Sequence, residues 1–199
     1  MSIVLDGTSG LTSPAAVLTT TPLAVTSGGT GVTTSTGSGA GVHATSPTIT
    51  GATITVAATA APAFSAYANG TQSLTSGTFT KITINTELFD TNSNFDSTTN
   101  YRFTPTVEGY YQVNGGVLIS VGVTGIAVAS LYKNGSLATL GNSAAGDGVN
   151  NYSSVSTLIY FNGSSDYVEL YGCQTAGTSK STVAGSPYTY FSASMIRSA

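Results

Sequence analysis

Charge is the scarcest commodity in this sequence. Five Lys and Arg stand against eight Asp and Glu in 199 residues, 7% in all, where an ordinary globular chain carries about a quarter. With a net charge of −3 and no Lys or Arg before Lys81, there is no electropositive footprint for a phosphate backbone or an anionic lipid surface. Nucleic acid is therefore not an expected partner. The strong polar helix formers Glu, Lys, Arg and Gln total only 11, too few to solvate a helical bundle, so the fold class expected is all-β.

Other absences narrow the chemistry. Cys173 is the single cysteine, which rules out an intrachain disulfide and a Cys/His zinc cluster and leaves a small hydrophobe. His43 is the single histidine; it lies in a low-complexity stretch, far along the chain from Cys173, and no catalytic triad is visible. The opening Met-Ser-Ile-Val-Leu-Asp lacks the basic start of an export signal, so none is expected. The run 109–132 is long enough to cross a bilayer, but it holds five glycines, Gln112 and Asn114 and is rich in β-branched residues, which reads as two strands.

What the sequence does have is 61 Ser and Thr, 24 Gly, and 18 aromatic residues confined between Phe64 and Phe191. Twelve of the 13 charges also fall after residue 80. Two regions follow: an extended segment 1–63 and a domain 64–199. The first holds 13 Val, Leu and Ile in 63 residues, too little apolar surface to offset the entropy of ordering its backbone. It is either a flexible polar linker or a thread that orders against partner chains. Ile54 and Val56 alternate with threonines as in a half-buried strand, and Ile3, Val4 and Leu5 form an isolated apolar triplet able to add to a sheet edge. These favour a thread that anchors, with Ile3, Val4 and Leu5 as the candidate anchor.

The stretch Pro22-Leu23-Ala24-Val25-Thr26-Ser27-Gly28-Gly29-Thr30-Gly31-Val32-Thr33-Thr34, with Thr45-Ser46-Pro47-Thr48 beyond it, resembles the Gly-Gly-Thr-Gly segments of bacteriophage tail-fibre and appendage proteins. Taken physically it is a flexible turn, and no phosphate-cradling loop is supported, because no Lys-Ser or Lys-Thr follows.

In the second region, Asn69-Gly70, Asn134-Gly135 and Asn162-Gly163 are turn dipeptides that accept positive φ. They punctuate strands expected near 78–85, 100–104, 109–120, 125–133, 137–140, 153–161, 167–173 and 188–196, the makings of a sandwich or jelly roll. Phe95, Phe103, Pro105, Gly109 and Tyr111, then Leu131-Tyr132-Lys133-Asn134-Gly135, Asp166-Tyr167-Val168 and Tyr190-Phe191-Ser192, resemble the globular head of the complement-recognition and tumour-necrosis-factor-like superfamily. Val113 and Gly115 depart from its aromatic pattern. The resemblance implies a ten-stranded jelly roll that assembles as a homotrimer around an aromatic and aliphatic seam. Eleven tyrosines agree with a surface devoted to neighbours.

Catalytic groups are sparse. Glu108 stands at a strand entrance, and Glu169 alternates with Val168 and Leu170 as an outward strand residue, so a paired-carboxylate glycosidase is not expected. Asp90, Asp96, Asp147 and Asp166 lack calcium-loop spacing and read as turn acids. The sequons at Asn69, Asn134, Asn151 and Asn162 read as turn chemistry. No enzyme activity, cofactor or metal is expected. If the domain binds a partner, the candidate surfaces are two long polar loops, 141–151 and 174–187, with Asp147, Asn150, Asn151, Tyr152 and Tyr188 as the binding residues. The function expected is a bacteriophage virion protein: a trimeric fibre anchored by its N-terminal segment, joined to other virion proteins, with a head for host polysaccharide or protein. A capsid-decorating or joining protein is the alternative, and a secreted cytokine-like ligand a third.

Overall fold

In a chain this poor in helix formers, the backbone polar groups must be satisfied between strands. The computed structural model describes residues 61–120, 125–145 and 150–199, and among them every regular element is a β-strand. In chain order these are β1 (Ala63–Tyr67), β2 (Ser73–Leu74), β3 (Thr80–Lys81), β4 (Thr86–Asp90), β5 (Phe95–Asp96), β6 (Arg102–Phe103), β7 (Glu108–Ile119), β8 (Ile126–Lys133), β9 (Ser136–Ala145), β10 (Asn151–Asn162), β11 (Val168–Gln174), β12 (Lys180–Ser181) and β13 (Tyr190–Ser198).

Eleven of them form a two-sheet jelly roll, one more than the ten expected. One sheet runs β10-β7-β13-β1-β4; the other runs β5-β6-β11-β8-β9, with β3 added beside β11, and β12 pairs with β2 apart from both. The run 109–132 is indeed two strands, β7 and β8. Alternation decides which side chains go inside. Tyr111, Val113, Val117 and Ile119 of β7 and Phe161 of β10 are fully buried against Ala127, Ala129 and Leu131 of β8 and Val168 and Leu170 of β11. The Val113 and Gly115 departures fit this layer: a Cβ on Gly115 would lie 2.5 Å from Leu170 Cδ1, so glycine there admits leucine from the facing sheet.

The signature residues converge at one end of the core. Phe64 stacks on Phe95 at 4.5 Å and Phe103 at 4.6 Å and meets Phe191 edge-on at 5.1 Å. Phe103 in turn meets Tyr111 at 5.8 Å, and the Tyr111 hydroxyl donates to Val107 O at 2.7 Å. Each ring removes on the order of 150–250 Å² from water. Burial pushes the Tyr111 phenol up to about 12. At the turns, Asn134 and Gly135 adopt φ of 52° and 76°, the paired positive φ of a tight hairpin, while Asn162 Oδ1 accepts from the backbone N–H groups of Ser164, Ser165 and Asp166, each at 3.0 Å.

Several boundaries differ from expectation. The strand expected at 78–85 narrows to β3, because Gln72 substitutes for a neighbouring strand: its Nε2 donates to Lys81 O at 2.8 Å and its Oε1 accepts from Thr83 N at 2.9 Å. Ile82 and Ile84 are nonetheless fully buried. β1 and β4, not foreseen as strands, complete the five-stranded sheet. The two expected polar loops are also shorter. β9 continues through Gly141 to Ala145 against β8, and the second loop is stitched down by β12, by Val183 N donating to Leu118 O at 2.8 Å and by Gly185 N donating to Ala68 O at 2.8 Å.

Acidic side chains serve as caps. Asp96 accepts from the backbone N–H groups of Thr98, Thr99 and Asn100 and from Asn100 Nδ2, which holds its carboxyl far below the usual range. Asp166 accepts from Lys133 at 2.8 Å and from Asn134, and is lowered for that reason. A depressed carboxylate stabilises the fold above its unfolded pKa of about 4, and that contribution is lost as pH falls toward the folded value. Thermal melts are expected to drop in midpoint between about pH 5 and pH 2, with a shallower drop in Asp96→Ala; identical slopes would contradict the capping role.

Candidate functional site: the uncharged face of the five-stranded sheet

With one phase of β7, β10 and β13 committed to the core, the other phase faces outward, and on this sheet it is almost free of charge. Three zones follow one another along it. At one end the Tyr152 hydroxyl donates to the Tyr190 hydroxyl at 3.1 Å, and Gly116 lies beneath them, where a Cβ would strike both rings. Burial of Tyr152, together with this bond, raises its phenol well above the ordinary range. In the middle, Gln112 Nε2 donates to Ser156 Oγ at 2.8 Å and Asn114 Oδ1 at 3.2 Å, and Ser156 Oγ donates to the same Asn114 oxygen at 2.8 Å. This neutral network pairs Gln112 Nε2, Asn114 Oδ1 and Ser156 Oγ among themselves and leaves Gln112 Oε1 and Asn114 Nδ2 open to a partner.

The far zone is apolar. Tyr110 and Tyr160 pack with centroids 5.5 Å apart, and beside them Leu158 is 59% and Ile196 60% exposed. A cleft of about 540 Å³ is lined by Tyr110, Leu158, Ile196, Arg197, Ser198 and Ala199. A second of about 450 Å³ adjoins it past Met195 and Val107, and a shallower one of about 270 Å³ lies between Ser65, Phe89, Asn114 and Ser192. Charge returns only at the margin, where the Tyr160 hydroxyl donates to Glu108 Oε1 and Arg197 borders the clefts. Contiguous exposed apolar residues rimmed by polar ones mark an interaction surface.

The residues singled out from the sequence fare differently. Tyr152 belongs to this face, but as a strand residue of β10. Tyr188, 45% exposed, lies at the same end, its carbonyl accepting from Leu118 N at 3.1 Å. Asn150 is exposed just before β10. Asn151 corrects the expectation twice: it is 2% exposed, and its Nδ2 donates to Gly125 O at 2.8 Å and Ala144 O at 3.1 Å, so it ties the sandwich edge and serves neither as a loop contact nor as a turn residue. Asp147, His43 and the anchor Ile3, Val4 and Leu5 lie outside the described residues. Tyr110, Leu158 and Ile196 were not foreseen; the available signal was that β10 is apolar in both phases of its alternation.

The chemistry-bearing groups are otherwise occupied. Glu169 does face outward from β11, yet it is only 6% exposed because Lys81 Nζ covers it at 3.1 Å. Asp90 takes the N–H groups of Asn92 and Phe95. No group of three His, Cys, Asp or Glu is placed to hold a metal ion among the described residues, and no helix among them is long and apolar enough to cross a membrane. Cys173 is buried, and burial pushes its thiol up. It is expected to react with a neutral-pH disulfide reagent only after unfolding; rapid labelling of the folded protein would contradict its placement.

This geometry defines a jelly roll of the complement-head and tumour-necrosis-factor-like kind. No family model matches the chain, and no curated protein matches it by sequence. Solved structures do. The globular domain of zebrafish complement 1qA protein is similar with a TM-score of 0.53 at 18% identity, covering 69% of this chain and 99% of that one. Murine APRIL has a TM-score of 0.52 at 10% identity over 68% and 99%, and the vertex protein P5 of PRD1 a TM-score of 0.51 at 16% identity over 69% and 98%.

Proposed function

We propose that this protein is a non-enzymatic bacteriophage virion component, a homotrimeric fibre or appendage whose 1–63 segment joins it to other virion proteins and whose jelly-roll head projects for attachment to the host surface. The observation that carries the assembly is the outward face of β7, β10 and β13. It is almost free of charge, and its Tyr, Leu and Ile side chains are left to water, which suits burial against further copies. Similarity to a PRD1 vertex protein and the Gly-Gly-Thr-Gly stretch support the particle setting. Trimerisation would bring three thin N-terminal segments together, so that burial between them offsets the ordering each lacks the apolar surface to achieve alone. Three heads on one stalk also convert weak single contacts into avidity.

Decoration of a particle without host binding is the second reading, and similarity to a vertex protein suits it equally. Incorporation of tagged full-length and 64–199 proteins into particles tests the anchor: the full chain is expected in purified particles and the truncated head only in the soluble fraction. Equal incorporation of both would overturn it. Binding of the labelled full chain to host cells separates attachment from decoration.

A further inference from the structure

At one end of the five-stranded sheet, β13 outruns its neighbour β1. The two pair as far as Ala63↔Ser194, with Met195 N donating to Pro62 O at 3.0 Å, while β13 runs on to Ser198 against β7. On its β1 side, 196–198 therefore has no strand partner among the described residues. A cleft of about 450 Å³ opens there, and Val107, Met195, Ile196 and Ala61, the first described residue, line it. Ile196 and Val107 are both exposed. Unpaired backbone groups along a sheet edge are a template for a further strand.

We propose that residues 56–60 of the same chain dock on this edge, running β1 back through Pro62 as one strand antiparallel to 196–198. The chain is already at the site: Ala61 lines the cleft, and a residue that precedes proline is held to extended backbone. The alternation is in phase across Pro62. Val56, Ala58 and Ala60 fall on the phase of Phe64 and Ala66, which are buried, and Thr55, Ala57 and Thr59 fall with Ser65 and Tyr67, so one strand keeps its apolar phase on the core side throughout. The bonding sides match as well. Thr91 Oγ1 donates to Ala61 O at 3.5 Å and Ala63 O at 3.2 Å on the β4 side, whereas Pro62 O bonds toward β13. Alternate residues of an antiparallel strand bond to the same neighbour, which makes Ala60 the next to reach β13. Pro62 withholds only its own N–H from that ladder. Five residues span roughly 16 Å at about 3.3 Å each, more than the open edge requires. A strand from another molecule would lose translational freedom that a tethered segment has already lost.

This pairing goes beyond the trimer reading and does not rest on it; it sets the chain's point of entry into the head at the end of the sheet that holds Leu158 and Ile196. The test is hydrogen exchange of the full chain read by mass spectrometry, with sedimentation run on the same samples. Amides of 57–61 and of 196–198 are expected to exchange at least about tenfold more slowly than in denaturant, whatever the mass of the assembly. Ala60→Pro removes the N–H that resumes the ladder, and it should return both stretches to the denatured rate while 64–67 stays protected. Thr55→Pro, outside the strand, should leave all three stretches as in the wild type. Exchange of 57–61 at the denatured rate, protection there without protection at 196–198, or protection that survives Ala60→Pro would overturn the proposal. Protection lost on dilution to monomer would assign the strand to a neighbouring copy and overturn it too, whereas a monomer that keeps its protection counts against the trimer alone.

Discussion

Replacing Leu158 with aspartate is expected to turn the assembly into monomers while leaving each head folded. Leu158 is 59% exposed in the single chain, so in the monomer the new carboxylate stands in water and stability should change by no more than about 0.5 kcal/mol. In the assembly the same carboxylate would be buried in the apolar zone beside Tyr110 and Ile196, where Arg197 at the edge of the cleft could pair with it only by giving up its own hydration. The penalty for an unpaired buried charge is several kcal/mol, and each 1.4 kcal/mol weakens association about tenfold. The trimer should therefore be lost at any practical concentration, with an unchanged melting profile for the dissociated chain. Leu158→Ala is the control, expected to weaken association without abolishing it. If Leu158→Asp kept the wild-type mass, the copies would have to meet elsewhere.

The second large effect concerns the fold itself. Phe64 is 1% exposed and touches the rings of Phe95, Phe103 and Phe191, so Phe64→Ala removes the centre of an aromatic cluster that joins the two sheets. Truncations of this kind cost about 3–5 kcal/mol. For a domain of this size that corresponds to a melting temperature lower by roughly 10–15 °C. Phe79→Ala, at a site 37% exposed, should lose far less. A Phe64→Ala loss below about 1 kcal/mol in denaturant melts would mean that the cluster is not packed as described.

Phe64 also shows where the sequence ran short. Its strand, Ala-Phe-Ser-Ala-Tyr, has no β-branched residue and sets only Phe64 and Tyr67 as strand formers among small residues; β13 and β4 pair with it on either side and complete it. β4 lies at the edge of the sheet and is held by β1. By contrast β8 and β9 were legible because Asn134-Gly135 fixes a hairpin between them. Asn162-Gly163, which also reads as a hairpin turn, carries the chain from β10 in one sheet to β11 in the other. Of the signature spacing, Phe103 and Tyr111 meet ring to ring. The 141–151 segment read as a loop because Gly, Asn, Ser and Ala dominate it, yet Gly141 is required by contact. A Cβ there would strike Ser154 O and lie 2.8 Å from Ala129 O, so small residues mark a close approach of strands there.

The candidate surface was half legible for a related reason. Eleven tyrosines and few charges pointed to an interface, but composition carries no information about which face holds them. Tyr152 was found through its place at the edge of a polar stretch. Tyr110, Leu158 and Ile196 gather only once β7, β10 and β13 are aligned, through registers such as Tyr110↔Tyr160 and Leu158↔Gln112, which no local pattern encodes. Glu169 illustrates the converse: its alternation was read correctly, while its cover by Lys81, 88 residues away in sequence, was not.

Sedimentation equilibrium of the unmodified full chain at low micromolar concentration asks the main question most directly. Burial of the uncharged sheet face between copies predicts a single species at three times the 19.9 kDa chain mass, unchanged by raising salt because no ion pairs bind the copies together. A monomer persisting across the concentration range would contradict it.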